Sequence, residues 1–152
     1  QRYMPMQITN LLPVEIEFLS PLYDLSIALR DKILREPLGL SFNIDELSKE
    51  DSDYHLGILH EGDLIACLVL TPKSKSIIKM RQVAVLESFQ GQGIGRILVA
   101  YSESFSKAKG YEKIVLNARE NAIPFYKKMA YSAEGDFFEE VTIIHQKMNK
   151  NL

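Results

Sequence analysis

Apolar residues recur along this chain with two different spacings, and the changes between them mark the predicted secondary structure. Apolar positions three or four residues apart indicate an amphipathic helix, and short apolar runs or strict alternation indicate a strand. Helical spacing covers residues 21–35, 93–108 and 121–129. Strand-like patterns cover residues 14–19, 54–60, 63–71, 77–86 and 113–118, with one or two further strands within 137–148.

Turn-forming residues lie between these segments and support their boundaries. Glu61-Gly62 separates two strand-like runs by two residues, the spacing of a tight β-hairpin. Pro37, in the stretch REPLGL, ends the first helical segment. We expect Asn121 to be the N-cap of the third, which places Pro124 in the first helical turn, where proline is tolerated.

The order of the elements predicts one unusual pair of strands. Strand 77–86 leads through a helix to strand 113–118, and such a crossover joins parallel neighbours in a sheet. The remaining strands are expected to be antiparallel. We therefore predict a mixed α/β fold with one parallel strand pair in a mostly antiparallel sheet, as a single domain over residues 1–152.

Composition and charge limit the classes of function. The chain has 152 residues, 46% of them hydrophobic and 25% charged, which fits one ordinary globular domain. A formal net charge of −2 argues against nucleic-acid binding through a generally basic surface. The single cysteine, Cys67, excludes a disulfide framework and lies in the apolar run LIACLVL, so we interpret it as buried rather than nucleophilic. No stretch has the length of a membrane span, and we expect a cytoplasmic protein.

The segment FQGQGIGRILV places Gly91, Gly93 and Gly95 at the predicted start of a helix. The first amides of a helix lack intrahelical partners and lie at the positive end of its dipole, so a phosphate can bind them where no side chain intervenes. Arg96 can add a charged contact. The spacing does not fit a P-loop, and Arg96 stands where a dinucleotide fingerprint needs its third glycine. A tight structural turn remains the alternative to a phosphate site.

Two blocks of the chain resemble the GNAT superfamily of N-acetyltransferases. VAVLESFQGQGIG resembles the acetyl-CoA signature of that family, in which Arg or Gln precedes a short glycine pattern between a strand and a helix. VLNARENAIPFYKKMAY resembles the family's later strand and short helix, although Ala130-Tyr131 replaces the more usual Gly-aromatic pair. The resemblance covers roughly residues 54–148. It implies that the parallel strand pair splays apart and that helices flank the sheet.

The resemblance also implies roles for individual residues. The amides of Gln92, Gly93 and Gly95 would hold the pyrophosphate of coenzyme A, and the main chain of Val83 and Val85 would bind its pantetheine arm. The Val85 N–H would also hold the oxyanion, and Tyr126 would donate to the leaving thiolate. The complete set implied at the cofactor is Val83, Val85, Gln90, Gly91, Gln92, Gly93, Ile94, Gly95, Arg96, Asn121, Phe125 and Tyr126.

The acceptor side of the site is less defined by the sequence. Arg81 and Gln82 interrupt an apolar strand, and we interpret them as lining the acceptor pocket, near whose entrance REPLGL is expected to lie. Arg81 would then meet a carboxylate on the substrate; the alternative is that it reaches the open face of the sheet. The candidates for a general base, by residue type alone, are Glu17, Glu36, His60, Glu87 and His145, and a water chain is the alternative.

These observations predict an acetyl-CoA-dependent N-acetyltransferase in which an amine attacks directly, with catalysis by Tyr126 and the Val85 backbone. The acceptor is a small-molecule or protein amine, with no nucleic acid, membrane or metal involved. A homodimer is among the open oligomeric states. The alternative functions are a non-catalytic acyl-CoA-binding regulatory module of the same fold and a small phosphate-binding module.

Overall fold

The computed structural model describes residues 8–152, apart from the side chains of Ile44 and Asp45, and shows a seven-stranded mixed sheet. The strand order is β1-β2-β3-β4-β5-β7-β6. The strands are β1 Leu11–Ile16, β2 Tyr54–His60, β3 Asp63–Pro72, β4 Ile77–Val85, β5 Lys113–Arg119, β6 Ser132–Glu140 and β7 Ile143–Asn151. The helices are α1 Pro21–Arg30, α2 Ile44–Ser48, α3 Ile94–Ala108 and α4 Ile123–Lys128.

The central pair of strands, β4 and β5, is parallel, and it separates along its length. Ile77, Ile78 and Lys79 pair with residues 113–115, and no pairing continues beyond that point. All other neighbouring strands in the described part of the sheet are antiparallel. The predicted fold class, including the splayed parallel pair, is therefore confirmed.

Both faces of the sheet are covered, because successive side chains of a strand point to opposite sides. Leu98 and Val99 of α3 pack with Leu68 of β3 in the larger core cluster. On the opposite face Tyr23 and Leu29 of α1 pack with neighbouring Cys67. The sheet thus holds α1 and α3 on opposite sides of β4.

The first strand and first helix differ from their predicted ends. The chain turns at residues 17–20, where Leu19 has a φ of +65° and the Ser20 side chain caps α1, so β1 ends at Ile16 rather than at 19. The α-helix ends at Arg30, and a π-helical turn, Asp31–Arg35, continues to the predicted end of the helical segment.

Asn121 is not the N-cap of α4, contrary to the prediction. A 3₁₀ turn, Glu120–Ala122, precedes α4, and the Ile123 amide donates to the Glu120 carbonyl. This main-chain bond supplies a partner that the prediction assigned to a side chain. Asn121 is exposed and lies within the 3₁₀ turn.

Candidate functional site

A cavity of about 380 Å³ opens where β4 and β5 separate. One wall is β4 from Lys79 to Val83, and the opposite wall is β5 from Leu116 to Arg119. The remaining lining residues come from the turn after α1, the start of α4 and the β6–β7 hairpin: Leu34, Arg35, Ala122, Tyr126, Glu140, Val141 and His145. The divergence of the parallel pair therefore creates a cleft in the middle of the sheet.

The loop after β4 holds two of the three glycines in a left-handed backbone conformation. Gly91 has a φ of +74° and Gly93 a φ of +84°, values that favour glycine. A Cβ at either position would meet nothing within 4 Å, so the requirement is conformational rather than steric. Gly95 lies inside α3 at an ordinary φ, where an added Cβ would be 3.6 Å from the Phe125 ring.

The N-terminus of α3 leaves main-chain donors available. Gly93 occupies the N-cap position, and no side chain in the described part of the chain caps this end of the helix. The buried Ile94 side chain faces the core, so this residue offers only its backbone, whereas Arg96 is exposed. The first turn of α3 therefore presents unpartnered amides at the positive end of a 15-residue helix.

The side chains of the two loop glutamines form hydrogen bonds with main-chain carbonyls of the loop and of the end of β4. Gln90 Nε2 donates to the Val85 carbonyl at 2.9 Å, and Gln92 Nε2 donates to the Ser88 carbonyl at 3.0 Å. Their side-chain amides are thereby engaged. The main-chain N–H of Gln90 also donates, to the Glu87 carbonyl at 3.2 Å, so the donor left for a ligand is the main-chain N–H of Gln92. The Gln90 bond also ties the loop to the end of β4.

The end of β4 has main-chain amides that face away from β3. Leu86 N–H donates to the Ile65 carbonyl at 2.8 Å, which makes those residues a hydrogen-bonded pair. Val85, opposite Ala66, is therefore in the alternate position, with its N–H directed toward the side that β5 has left. Val83, two residues earlier, lies in the register shift between Ala84 and Arg81 and lines the cavity.

Tyr126 of α4 reaches the cavity from the side of the loop. Its side chain is buried between the rings of Phe125 and Tyr131, with centroid distances of 5.0 and 5.5 Å. Within residues 8–152 its hydroxyl has no hydrogen-bond partner, and it lines the cavity. Burial raises the pKa of Tyr126, so the phenol stays protonated and can donate.

Comparison with known protein families identifies the family of this chain. The model of the Acetyltransferase (GNAT) family matches residues 20–131, well over half of the chain. The chain belongs to this family. YitI of Bacillus subtilis, an uncharacterized N-acetyltransferase, is 24% identical over 117 residues, which cover 73% of this chain and 78% of that protein.

Solved structures share the whole GNAT fold at low sequence identity. An acyl-CoA N-acyltransferase from Pseudomonas aeruginosa has a TM-score of 0.79 at 19% identity, covering 93% of this chain and 99% of that one. A GNAT family acetyltransferase from Elizabethkingia anophelis, solved with acetyl-CoA bound, has a TM-score of 0.74 at 19% identity, covering 95% and 99%. The resemblance read from the two sequence blocks is thus confirmed at the level of family and fold.

In this GNAT protein the cysteine is placed as predicted. Cys67 is 1% exposed, and its thiol contacts the Ser26 carbonyl with an Sγ–O distance of 3.7 Å. Burial raises the pKa of the Cys67 thiol to about 12, which keeps it protonated and unreactive.

Of the five candidate bases, His145 alone lines the cavity among the described residues. Its Nδ1 lies 2.8 Å from the Ile143 carbonyl oxygen, and its ring stacks on Phe138. A carbonyl oxygen only accepts, so this contact places the proton on Nδ1 and leaves the lone pair of the neutral ring on Nε2. The three glutamates, Glu17, Glu36 and Glu87, are exposed elsewhere, and His60 Nδ1 contacts the Thr9 carbonyl at 3.1 Å.

Arg81 and Gln82 line the cavity, but both side chains already have protein partners. Arg81 Nη1 lies 3.1 Å from Thr71 Oγ1 and 3.5 Å from Asp53 Oδ2. Gln82 Oε1 accepts from Arg30 Nε at 2.8 Å. Three cations that the sequence analysis did not name also line this cavity: Arg35, Lys79 and Arg119.

A buried polar network on the α1 side supports this part of β4. Both Nη atoms of Arg30 donate to Glu50, the Tyr23 hydroxyl donates to Glu50 at 2.7 Å, and Arg30 Nε reaches Gln82. Gln82 has a φ of +54° and lies where the β3–β4 register shifts. The network therefore fixes a bulge in β4 at the cavity wall.

No metal-binding group of three or more His, Cys, Asp or Glu occurs in the described part of the chain. Among the described helices none is both long and apolar enough to cross a membrane.

Proposed function

We propose that this GNAT protein is an N-acetyltransferase that moves the acetyl group of acetyl-CoA to a primary amine by direct attack in a ternary complex. The observation that carries the proposal is the series of unpartnered donors from the cavity to the start of α3. The hydroxyl of Tyr126, the amides of Val83 and Val85, and the first amides of α3 lie around one end of β4. We further propose that it acts in the cytoplasm.

The loop and helix offer what a pyrophosphate requires. The amides of Gln92, Gly93 and Gly95 are the candidate donors, and the exposed Arg96 adds a positive charge. Gln90 and Gly91 shape the loop, and Phe125 packs beside Gly95. Ile94 contributes its main chain, and Asn121 lies exposed just before α4.

The edge of β4 offers donors for the amide-bearing arm and the reacting carbonyl. Acetyl-CoA, when bound, supplies the acetyl thioester that the amine attacks. The Val83 main chain would pair with the arm as a neighbouring strand does. The Val85 N–H would donate to the acetyl oxygen, where negative charge develops, and such a preorganised donor stabilises the transition state most in a site that excludes water.

Tyr126 would act as the general acid, and His145 would act as the general base. The protonated Tyr126 hydroxyl donates to the sulfur as the thiolate leaves. His145 Nε2, with its lone pair free, accepts the proton that the acceptor ammonium must lose before attack. Both side chains line the same cavity, so neither role needs a rearrangement of the fold.

The test is release of free CoA with a panel of primary amines, for the unaltered protein and for Tyr126→Phe. We expect the variant to lose at least about tenfold in kcat, since a positioned proton donor contributes roughly 10²–10⁴-fold. Tyr101→Phe is the matched control, because Tyr101 lies on α3 and does not line the cavity. Equal turnover of the two variants would remove Tyr126 from the mechanism.

A thermal-shift titration with acetyl-CoA tests the cofactor separately. Binding to the folded protein alone raises the melting temperature with ligand concentration. Protection without CoA release for any amine would favour a non-catalytic acyl-CoA-binding module instead. No protection by acetyl-CoA or CoA would overturn the cofactor assignment.

A further inference from the structure

The described part of the cavity wall carries more cationic than anionic side chains. Among residues 8–152, four cationic side chains line the cavity, and Glu140 is the one carboxylate found in its lining. The four cations come from three different segments of the chain: Arg35, Lys79, Arg81 and Arg119.

Two of these cations have nearby acidic groups. Arg81 lies 3.5 Å from the Asp53 carboxylate. Burial lowers the pKa of Lys79, and the nearby negative charge of Glu140 acts in the opposite direction. The local charge of these two side chains is therefore offset within the protein.

Among the side chains that the structure describes, neither Arg35 nor Arg119 has an ion-pair partner. Arg119 Nη2 donates to the Leu34 carbonyl at 3.2 Å, and the Arg35 guanidinium lies 4.6 Å from the centroid of the Phe42 ring. Both side chains are half-buried. Burial and the charge of Arg35 both lower the pKa of Arg119.

Two like charges held near each other at a cavity wall repel, and the repulsion grows as water is excluded. The contacts with Leu34 and Phe42 hold the guanidiniums in place without neutralising them. Each guanidinium has five N–H donors in a planar fork, and Arg119 uses one of them on Leu34. The free donors suit a carboxylate or phosphate, which would also remove the repulsion.

We propose that the acceptor is an amine that carries an anionic group, a carboxylate or a phosphate, and that Arg35 and Arg119 bind this group. The inference rests on the proposed acetyl transfer, because it places the amine of the same molecule toward Tyr126 and His145. A neutral amine of the same size leaves the two guanidiniums uncompensated. The arginine pair therefore determines specificity, and it acts on binding of the acceptor rather than on the chemical step.

The experiment compares matched amines that differ in one charge. Free CoA release is measured with amino acids against their C-terminal amides, and with glucosamine 6-phosphate against glucosamine. We expect KM to be at least about tenfold lower for the anionic member, as for one charge-assisted hydrogen bond. The two pairs distinguish a carboxylate from a phosphate.

The arginines are then tested with Arg35→Gln, Arg119→Gln and the exposed-cation control Lys107→Gln. We expect each arginine variant to raise KM of the anionic amine at least about tenfold and to leave KM of acetyl-CoA and of the neutral amine unchanged. Arg119→Lys keeps the charge without the fork and should restore part of the loss. A higher KM for acetyl-CoA, with no change for the amine, would overturn the proposal.

Binding without turnover separates this inference from the transferase proposal. Calorimetric titration of the same amines into the CoA-saturated protein measures the anion site directly. Two results would refute the anion site without refuting acetyl transfer. One is acetylation of anionic and neutral amines with equal KM, and the other is binding of the anionic amine that neither arginine substitution weakens. Arginine-dependent binding with no acetylation of any amine supports the site and refutes the transferase.

Discussion

Replacing Glu50 by glutamine will remove one charge of a buried ion pair and leave the other. Arg30 Nη1 and Nη2 donate to the two carboxylate oxygens of Glu50 at 2.9 and 2.5 Å, and the Tyr23 hydroxyl donates to Oε1. The side chains of Arg30 and Glu50 are 0% and 5% exposed. Glutamine has nearly the same size and keeps one carbonyl oxygen, so Glu50→Gln changes mainly the charge.

The magnitude follows from the burial of the remaining arginine. Removing one partner of a buried pair costs about 3–5 kcal/mol, because the other charge stays uncompensated in a medium of low polarity. A domain has about 5–15 kcal/mol of unfolding free energy in total. At roughly 2–4 °C per kcal/mol for a chain of this size, we expect Tm to fall by about 6–20 °C.

Urea unfolding followed by circular dichroism measures the change in free energy, and a thermal scan measures Tm. Glu134→Gln is the matched control, since that carboxylate lies 3.8 Å from Lys147 Nζ with both side chains about half exposed. An exposed pair contributes about 0–1 kcal/mol. If Glu50→Gln costs no more than Glu134→Gln, the Arg30–Glu50 pair does not stabilise this fold and the reasoning fails.

Two further predictions concern the glycine loop and the response to acid. Gly93→Ala should lower the free energy of unfolding in urea by about 1–2 kcal/mol and weaken the binding of CoA, because Gly93 has a φ of +84°. Gly95→Ala should be tolerated, because the added Cβ makes an ordinary contact with Phe125. Equal losses of unfolding free energy in the two variants would contradict this assignment. Burial lowers the pKa of His55 in the folded protein. As the pH decreases below about 6.5, the His55 side chain is therefore protonated in the unfolded chain before it is protonated in the folded protein, and the stability of the fold decreases. His55→Asn should flatten the dependence of the unfolding free energy between pH 7 and 5, and an unchanged slope would exclude His55 as its source.

The parts of the fold that the sequence predicts are those set by neighbouring residues. The hairpin turn at Glu61-Gly62 has φ values of +50° and +86°, which the Gly at its second position favours. The crossover from β4 through α3 to β5 requires a parallel pair because its length allows no hairpin. The glycine loop is only partly of this kind: its place at a strand-to-helix junction could be predicted, but the spacing did not show that Gly91 and Gly93 take a positive φ while Gly95 lies inside the helix.

Side-chain partners that are distant in sequence could not be predicted in this way. The sequence shows Arg30 only as a polar residue within a predicted helix, and Glu50 lies in a stretch without clear hydrophobic periodicity. Arg35 and Arg119 are 84 positions apart and come together only because β5 separates from β4 beside the turn after α1. The wrong N-cap prediction at Asn121 also concerns hydrogen bonds that the sequence does not show. The 3₁₀ turn before α4 gives the Ile123 amide a main-chain acceptor, so no side-chain cap is needed there.

Gln82 shows how the distant contacts and the local geometry are linked. A glutamine at a φ of +54° inside a strand costs about 1–2 kcal/mol on its own, so the surrounding structure must hold it there. The buried Arg30 does so, because its Nε donates to Gln82 Oε1 while its two Nη atoms are fixed by Glu50. The bulge that results lies between the cavity wall at Arg81 and the main-chain donors that begin at Val83. The buried Arg30–Glu50 pair therefore also orients the strand edge on which the proposed transfer depends.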